Sequence, residues 1–278
     1  GLPCSLSLKT RLADKSLGEA TRIMEFCREI TNTPAGEKVI FNSWFISHAH
    51  SDHFGGLPRF IDKYHNQIDI KNVMYSLDDE MIGSTRDMGK VLKMIKAYFP
   101  DVTYYKPHTG EHFDINGIEF DVIFTQEDRF YPAADGKLSC GKVSSKLRED
   151  GTYRDFLVET VNATTGKKEY DFNDTSTVLR VTFPKAITGA GRDYTSNLYA
   201  DANLVDQVIM KTMSDDLLAT DIMMVPHHGH DSHPELVEKS GAGIFLYTQN
   251  KQAIYGPDND YTTQDDKGTY RNPLRKNF

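Results

Sequence analysis

An apolar run, 39-VIFNSWFI-46, leads straight into 46-ISHAHSDHFGGL-57, where three histidines and an aspartate fall within six residues, 48-HAHSDH-53. No other stretch constrains the chain as strongly. The apolar run reads as a buried strand, and the cluster stands at its C-terminal end. His48 and His50 are two apart, so in extended chain they point the same way. Asp52 and His53 follow at a turn where a helix begins, and Gly55-Gly56 lets backbone approach closely there.

Residue types of this kind hold metal ions. Two imidazoles from the strand end, His48 and His50, can share one ion, while Asp52 and His53 reach a second about 3.5–4 Å away, as in two-metal hydrolytic sites. Imidazole and carboxylate donors suit Zn²⁺, Mn²⁺ or Fe²⁺. A lone histidine is usually a solvated surface group; four candidate ligands behind an apolar strand are not. A closed structural zinc site favours cysteine ligands. Cys4, Cys27 and Cys140 lie far from the cluster and from one another, which also argues against a disulfide framework.

Along the chain, strands alternate with helices. Residues 3–12 suit a short strand. A helix over 16–30 carries Leu17, Ala20, Met24, Cys27 and Ile30 at helical spacing, with Ser16 as N-cap and Glu19 completing a capping box. Strand 38–46 follows, then a helix with Leu57, Phe60, Ile61 and Tyr64 on one face, strand 68–77, helix 79–98, and β structure over 102–106 and 117–124. His108 and His112 fall in the turn between those two. Residues 132–171 read as a polar insertion or long hairpin. Strand 176–183, strand 196–200 ending at Asp201, helix 204–219, strand 221–225 ending in 226-PHHGH-230, a further helix and strand 243–247 complete the core. The tail 256–278 reads as peripheral. Neither an internal repeat nor a heptad run occurs. Strands that each deliver polar residues at their C-terminal ends define an α/β sheet protein with its site along one edge.

With 278 residues the chain is long enough to bury a core without disulfides. Its net charge of −8 does not favour long nucleic acid as a partner, although local basic patches survive such an average. No run of about eighteen apolar residues occurs, so no membrane span is expected. No charged n-region with an apolar h-region opens the chain, which gives a cytoplasmic location by default.

The pattern at 48–53 resembles the HxHxDH signature of the metallo-β-lactamase superfamily. Two later motifs follow in the family's order: Asp201, closing 196-SNLYADA-202, and the His-His-Gly of 225-VPHHGH-230. Ala200 stands where relatives show glycine, a small change. With 173-NDTSTVLRV-181, these motifs look like those of competence-type DNA-uptake nuclease domains and related bacterial hydrolases, over roughly residues 38–248.

The resemblance implies one αββα sandwich domain of two mixed sheets. Only 47 residues precede His48, mostly one helix, so its first strands are expected to be missing. It implies a dinuclear centre, most simply two Zn²⁺ with Mn²⁺ or Fe²⁺ as alternatives, held by His48, His50, Asp52, His53, Asp201 and His227. Adjacent side chains diverge, so only one of His227 and His228 ligates. His227 is given to the metal and His228, with Asp52, to catalysis at water and leaving group. Ser176 and Asn173 would support the ligands, and Asp174 or Asn173 takes the place of a histidine that many members supply. Thr125, Glu127 and Asp128 either line the pocket or form a plain acidic turn, and Arg129, Lys142, Lys146 and Arg148 read first as a solvated face, with phosphate contact as the alternative. His65, His230 and His233 read as structural or solvated. The function implied is hydrolysis of a small phosphodiester or other ester; the alternative is a non-catalytic metal-binding or interaction module of the same fold.

Overall fold

The computed structural model describes residues 18–76, 86–125 and 172–248, the last with interruptions at 203–205, 208–209, 212 and 230–231, together with six short strand segments between 130 and 169. The expected strand 3–12, Ser16 and the tail 256–278 lie outside the described residues, as do Glu127, Asp128, Arg129, Lys142, Arg148 and His230 and the side chains of Cys140, Lys146 and Asp174. The chain divides after Lys106 into two compact units.

Unit 1 opens on α1 (Glu19–Thr31). Its N-cap is Gly18, in extended conformation with no side-chain cap, so Glu19 is the first helical residue and cannot be the third of a capping box begun at Ser16. The helix ends where Asn32 turns left-handed (φ 51°), a conformation asparagine tolerates, and the backbone closes onto the carbonyls of Arg28 and Glu29. Met24 is buried, whereas Ile30, expected on the same face, is 51% exposed.

The expected strand 38–46 is two strands, β1 (Val39–Phe41) and β2 (Trp44–Phe45). The expected 68–77 is likewise β3 (Ile68–Ile70) and β4 (Asn72–Met74). β1 pairs in parallel with β3, β2 with β4, and β4 with β5 (Thr103–Tyr105). The Asn72 amide donates to the Asn42 carbonyl at 2.7 Å and ties the two breaks together. Parallel neighbours require crossovers. These are supplied by α2 (Ser51–Phe54) with α3 (Gly56–Tyr64), and by α4 (Arg86–Tyr98). Leu57, Phe60, Ile61 and Tyr64 form the buried face of α3, as the spacing predicts. Phe60 meets Trp44 and Phe41 with ring centroids 5.7 and 5.8 Å away, so α3 is anchored on the strands that lead into the histidines.

Unit 2 is built on a six-stranded mixed sheet in the order β17-β16-β15-β14-β7-β6. β6 (His112–Ile115) and β7 (Ile118–Phe124) form a hairpin whose turn, Asn116-Gly117, has positive φ at both residues (56° and 83°). His112 therefore sits on a strand rather than in a turn. Its Nδ1 lies 2.7 Å from Asp121 Oδ1 on the partner strand, and that hydrogen bond raises its pKa. β14 (Val178–Phe183) pairs antiparallel with β7 and with β15 (Tyr194–Leu198). α5 (Lys185–Thr188) fills that last connection. β16 (Ile222–Met224) and β17 (Ile244–Leu246) add in parallel, so β15, β16 and β17 end at one edge.

The expected helix 204–219 is interrupted. Asp206, Gln207 and Met210 are helical, and a separate α6 (Asp215–Leu218) starts after Ser214, a favoured N-cap type. α7 (Pro234–Ser240) bridges β16 and β17. Val178, Tyr199, Met210, Leu218, Met223 and Leu236 are fully buried and make the centre of this core. Between 130 and 169, β8 (Phe130–Pro132) pairs with β9 (Leu138–Cys140), β10 (Val143–Leu147) with β11 (Tyr153–Asp155), and β12 (Thr160–Val161) with β13 (Lys168–Glu169), each antiparallel. The expected long hairpin is thus three short ones. Among the described residues no helix is long and apolar enough to cross a membrane.

The sheet edge opposite the strands' C-terminal ends is fastened by Asp221. Its carboxylate accepts from the Arg192 guanidinium (3.0 Å to Nη1) and from the Thr195 backbone N–H (2.9 Å). The Arg192 hydrogen bonds hold its pKa below the usual carboxylate range. Because the folded value is the lower one, the contribution is complete above the ordinary carboxylate pKa and fades as pH falls through the depressed value. Asp221→Asn is expected to cost about 1 kcal/mol at pH 7, since Arg192 is largely exposed. Denaturant midpoints of parent and variant should converge in acid.

Candidate metal centre

In unit 1, β2 ends at Phe45, and the chain bends through His48 before α2 starts. His48 is fully buried. Its ring centroid lies 5.1 Å from that of His50 and 4.0 Å from that of His53. Ser47 Oγ lies 3.3 Å from His48 Nδ1. His50 caps α2 in extended conformation (φ −80°, ψ 142°), and its carbonyl accepts from the His53 backbone N–H at 3.0 Å. The cap folds Asp52 and His53 back beside each other, with Asp52 Oδ2 3.6 Å from His53 Nε2. Ligand atoms of His48 and His50 lie within 4.8 Å of one another, and so do those of Asp52 and His53.

The helical turn then divides its labour by face. Ser51, Phe54, Gly55 and Pro58 stand at i, i+3, i+4 and i+7 and line, with Lys90, Val91 and Met94 of α4, a cavity of about 300 Å³. Asp52 and His53, at i+1 and i+2, belong to the other side of the turn. Gly55 makes this compactness possible, since a Cβ there would run into the Ser51 carbonyl oxygen.

In unit 2, Asp201 lies three residues beyond β15 and is 3% exposed. The turn that presents it closes through Ala202 N–H to the Tyr199 carbonyl (3.1 Å), and Tyr199 is buried with its phenol pushed up to about 12. Ala200 sits in this turn at φ 50°. Its carbonyl accepts from the His227 N–H at 2.9 Å and so ties the loops after β15 and β16 together. Replacing glycine by alanine here is therefore not a small change, because a Cβ in left-handed backbone costs about 1 kcal/mol. Ala200→Gly is expected to match or exceed the parent in stability, the relief being offset in part by the roughly 0.5–1 kcal/mol entropy cost of glycine. Ala200→Val should lose about 2 kcal/mol or more, through strain and overpacking, in equilibrium unfolding.

His227 and His228 also adopt positive φ (47° and 55°), and Gly229 follows at 85°. Three left-handed residues in succession throw the two imidazoles apart, to ring centroids 6.2 Å from each other. His228 Nε2 lies 3.3 Å from Asp201 Oδ2, and His228 Nδ1 lies 2.5 Å from Thr248 Oγ1. His227 Nε2 instead faces the Asn173 amide at 3.5 Å. Asn173 and Ser176 are thus near the histidine loop in the sense that Asn173 touches His227, while Ser176 is fully buried with its N–H on the Asn173 carbonyl (3.1 Å). Thr125 is buried and bonded to Thr109, a packing role. His65 caps α3 and stacks on Tyr98 at 4.2 Å, and His233 caps α7, its pKa lowered by burial. Thr248 had no signal in the sequence, because only the pairing of β16 with β17 brings it to the histidine loop.

Each unit on its own therefore offers imidazole and carboxylate donors at a sheet edge, a set that fits a divalent transition ion and leaves its identity open among Zn²⁺, Mn²⁺ and Fe²⁺.

No family model and no curated protein matches the chain. Among solved structures it is similar to a point mutant of the β-hydroxylase CmlA, with a TM-score of 0.36 and 12% identity over 70% of this chain. The match spans 27% of that structure's chain. The fold is mixed α/β with several sheets, and the pairs His48/His50 and Asp52/His53 each belong to a candidate metal-ligand group.

Proposed function

We propose that the chain is a metal-dependent hydrolase, folded as a single αββα sandwich domain with its core at about 38–248, and acting on a small phosphodiester or other ester. The observation that carries this reading is the turn 48–53, which brings the His50 and His53 imidazoles beside a fully buried His48, with the Asp52 carboxylate against His53. A structural role would satisfy one histidine, not three and a neighbouring aspartate.

His48 and His50 would hold one ion. Asp52 and His53 would hold the other, with Asp201 shared and one histidine of the 227–228 pair completing the set. Bound divalent ions supply Lewis acidity and a water that loses its proton near neutral pH. The remaining steps belong to the chain. Asp52 and Asp201 orient the attacking water. The Asp201–His228 pair and the Thr248 contact support His228 as the ligand. His227, against the Asn173 amide, is then the residue that stabilises or protonates the leaving group, the reverse of the division drawn from sequence. The net charge of −8 supports a small substrate over long nucleic acid. A cytoplasmic location remains part of this proposal.

The test is elemental analysis of protein purified without added metal or chelator, followed by assay on an activated phosphodiester. About two equivalents of zinc, manganese or iron with hydrolysis lost on chelation is the expected result. No metal after reconstitution would overturn the reading and leave a non-catalytic module.

A further inference from the structure

The loop that carries His227 and His228 is bent three times into left-handed backbone, at a cost of about 1–2 kcal/mol for each non-glycine residue. Such strain persists only where the surroundings over-determine it. Three contacts within unit 2 do so. The His227 N–H is fixed on the Ala200 carbonyl (2.9 Å). Gly229 lies under the Tyr247 ring so closely that an added Cβ would come within 2.7 Å of it. The Val225 N–H donates to the Leu246 carbonyl at 3.0 Å, continuing the β16–β17 register of Met224 with Leu246. That register carries the chain past β17 so that Tyr247 covers Gly229 and the next residue, Thr248, meets His228.

We infer that Thr248 is a positioning residue for His228: the hydrogen bond between its hydroxyl and Nδ1 fixes the ring and keeps Nε2 on the Asp201 side, where it can ligate an ion. An imidazole has two nitrogens, and the partner of one decides what the other can do. With Nδ1 2.5 Å from Thr248 Oγ1, the ring cannot rotate without losing that bond, and Nε2 is held 3.3 Å from Asp201 Oδ2. Ligating histidines commonly carry such an outer hydrogen bond, and its loss lowers metal affinity by about 10–100-fold. The inference rests on the metal-centre reading for its consequence, and not for the hydrogen bond itself.

Thr248→Val keeps the shape and removes the hydroxyl; Thr248→Ser restores it. Two readouts are needed. Zinc affinity of the reconstituted protein is expected to fall 10–100-fold in the valine variant and to recover in the serine variant. In metal-free protein, long-range ¹H–¹⁵N spectra should place the His228 Nδ1 resonance at one shift in parent and serine variant and at a different shift in the valine variant, which offers no hydroxyl to that nitrogen. If valine changes neither readout, Thr248 does not position His228 and the inference fails while the metal reading stands. If the Nδ1 resonance moves but the parent binds no metal, the positioning stands and the metal reading fails. A general loss of folding would not be rescued by serine alone and would not move one nitrogen resonance.

Discussion

On the proposed metal-centre reading, replacing Asp201 by asparagine is expected to abolish tight metal binding while leaving the fold in place. Asp201 is 3% exposed, and its carboxylate stands 3.3 Å from His228 Nε2. A buried charge is costly to keep unless paired or bound to an ion. The amide has the same shape without that cost and gives up the His228 contact in exchange, so metal-free Asp201→Asn should melt no lower than the parent. In the proposed centre Asp201 is a shared ligand, worth more than a supporting group, so metal affinity should fall beyond the 10–100-fold typical of the latter, to more than about 100-fold. Hydrolysis should fall with it at metal concentrations that saturate the parent. Calorimetric titration with zinc, beside thermal melts without metal, measures both. Unchanged affinity would remove Asp201 from the centre, and a collapsed melt would make it a packing residue instead.

Asp201 was singled out through the resemblance, which expects a carboxylate after that strand, and the structure buries it three residues beyond β15. The stretch 48-HAHSDH-53 was legible by itself, because four candidate ligands in six residues behind an apolar run are not a solvated loop. The buried faces were legible too, since α3 needs apolar groups at helical spacing and shows them. What the residues did not disclose is set by backbone and register. Ala200, His227 and His228 are ordinary letters, yet all three are left-handed. Thr248 reaches His228 only through the pairing of β16 with β17. β6 was hidden because 112-HFDI-115 alternates with exposed polar residues after Pro107 and Gly110, and reads as loop. The Asn116-Gly117 pair was the available signal for its hairpin. The expected helix over 204–219 failed at 214-SDD-216, where a serine followed by acids restarts a helix rather than continuing one. The expected strand 38–46 broke at Asn42-Ser43, two polar residues that interrupt an apolar run.

The largest loss of stability is expected from Phe60→Ala. Phe60 is fully buried, and its ring meets those of Phe41, Trp44 and Tyr64 at 5.8, 5.7 and 5.7 Å. Removing a buried phenyl group costs about 3–5 kcal/mol, the transfer energy of the ring plus the cavity it leaves. A domain has only about 5–15 kcal/mol to lose. Phe60→Leu keeps most of the volume and should lose no more than about 1.5 kcal/mol. Trp44 is the chain's only tryptophan and touches the ring being removed, so its emission reports this site directly. Urea unfolding followed at Trp44 should show a lower midpoint for Phe60→Ala with little change in slope. The consequence reaches the metal ligands through geometry rather than chemistry. Trp44 belongs to β2, which leads into His48, and Phe60 belongs to the helix that follows His53. The contact between them therefore clamps both ends of the histidine turn. Loosening it should weaken metal binding in a protein whose six candidate ligands are all still present, and supplying excess zinc should then raise the melting temperature of Phe60→Ala, as binding to the folded state alone requires. A midpoint equal to the parent's would mean that the aromatic cluster does not hold the turn.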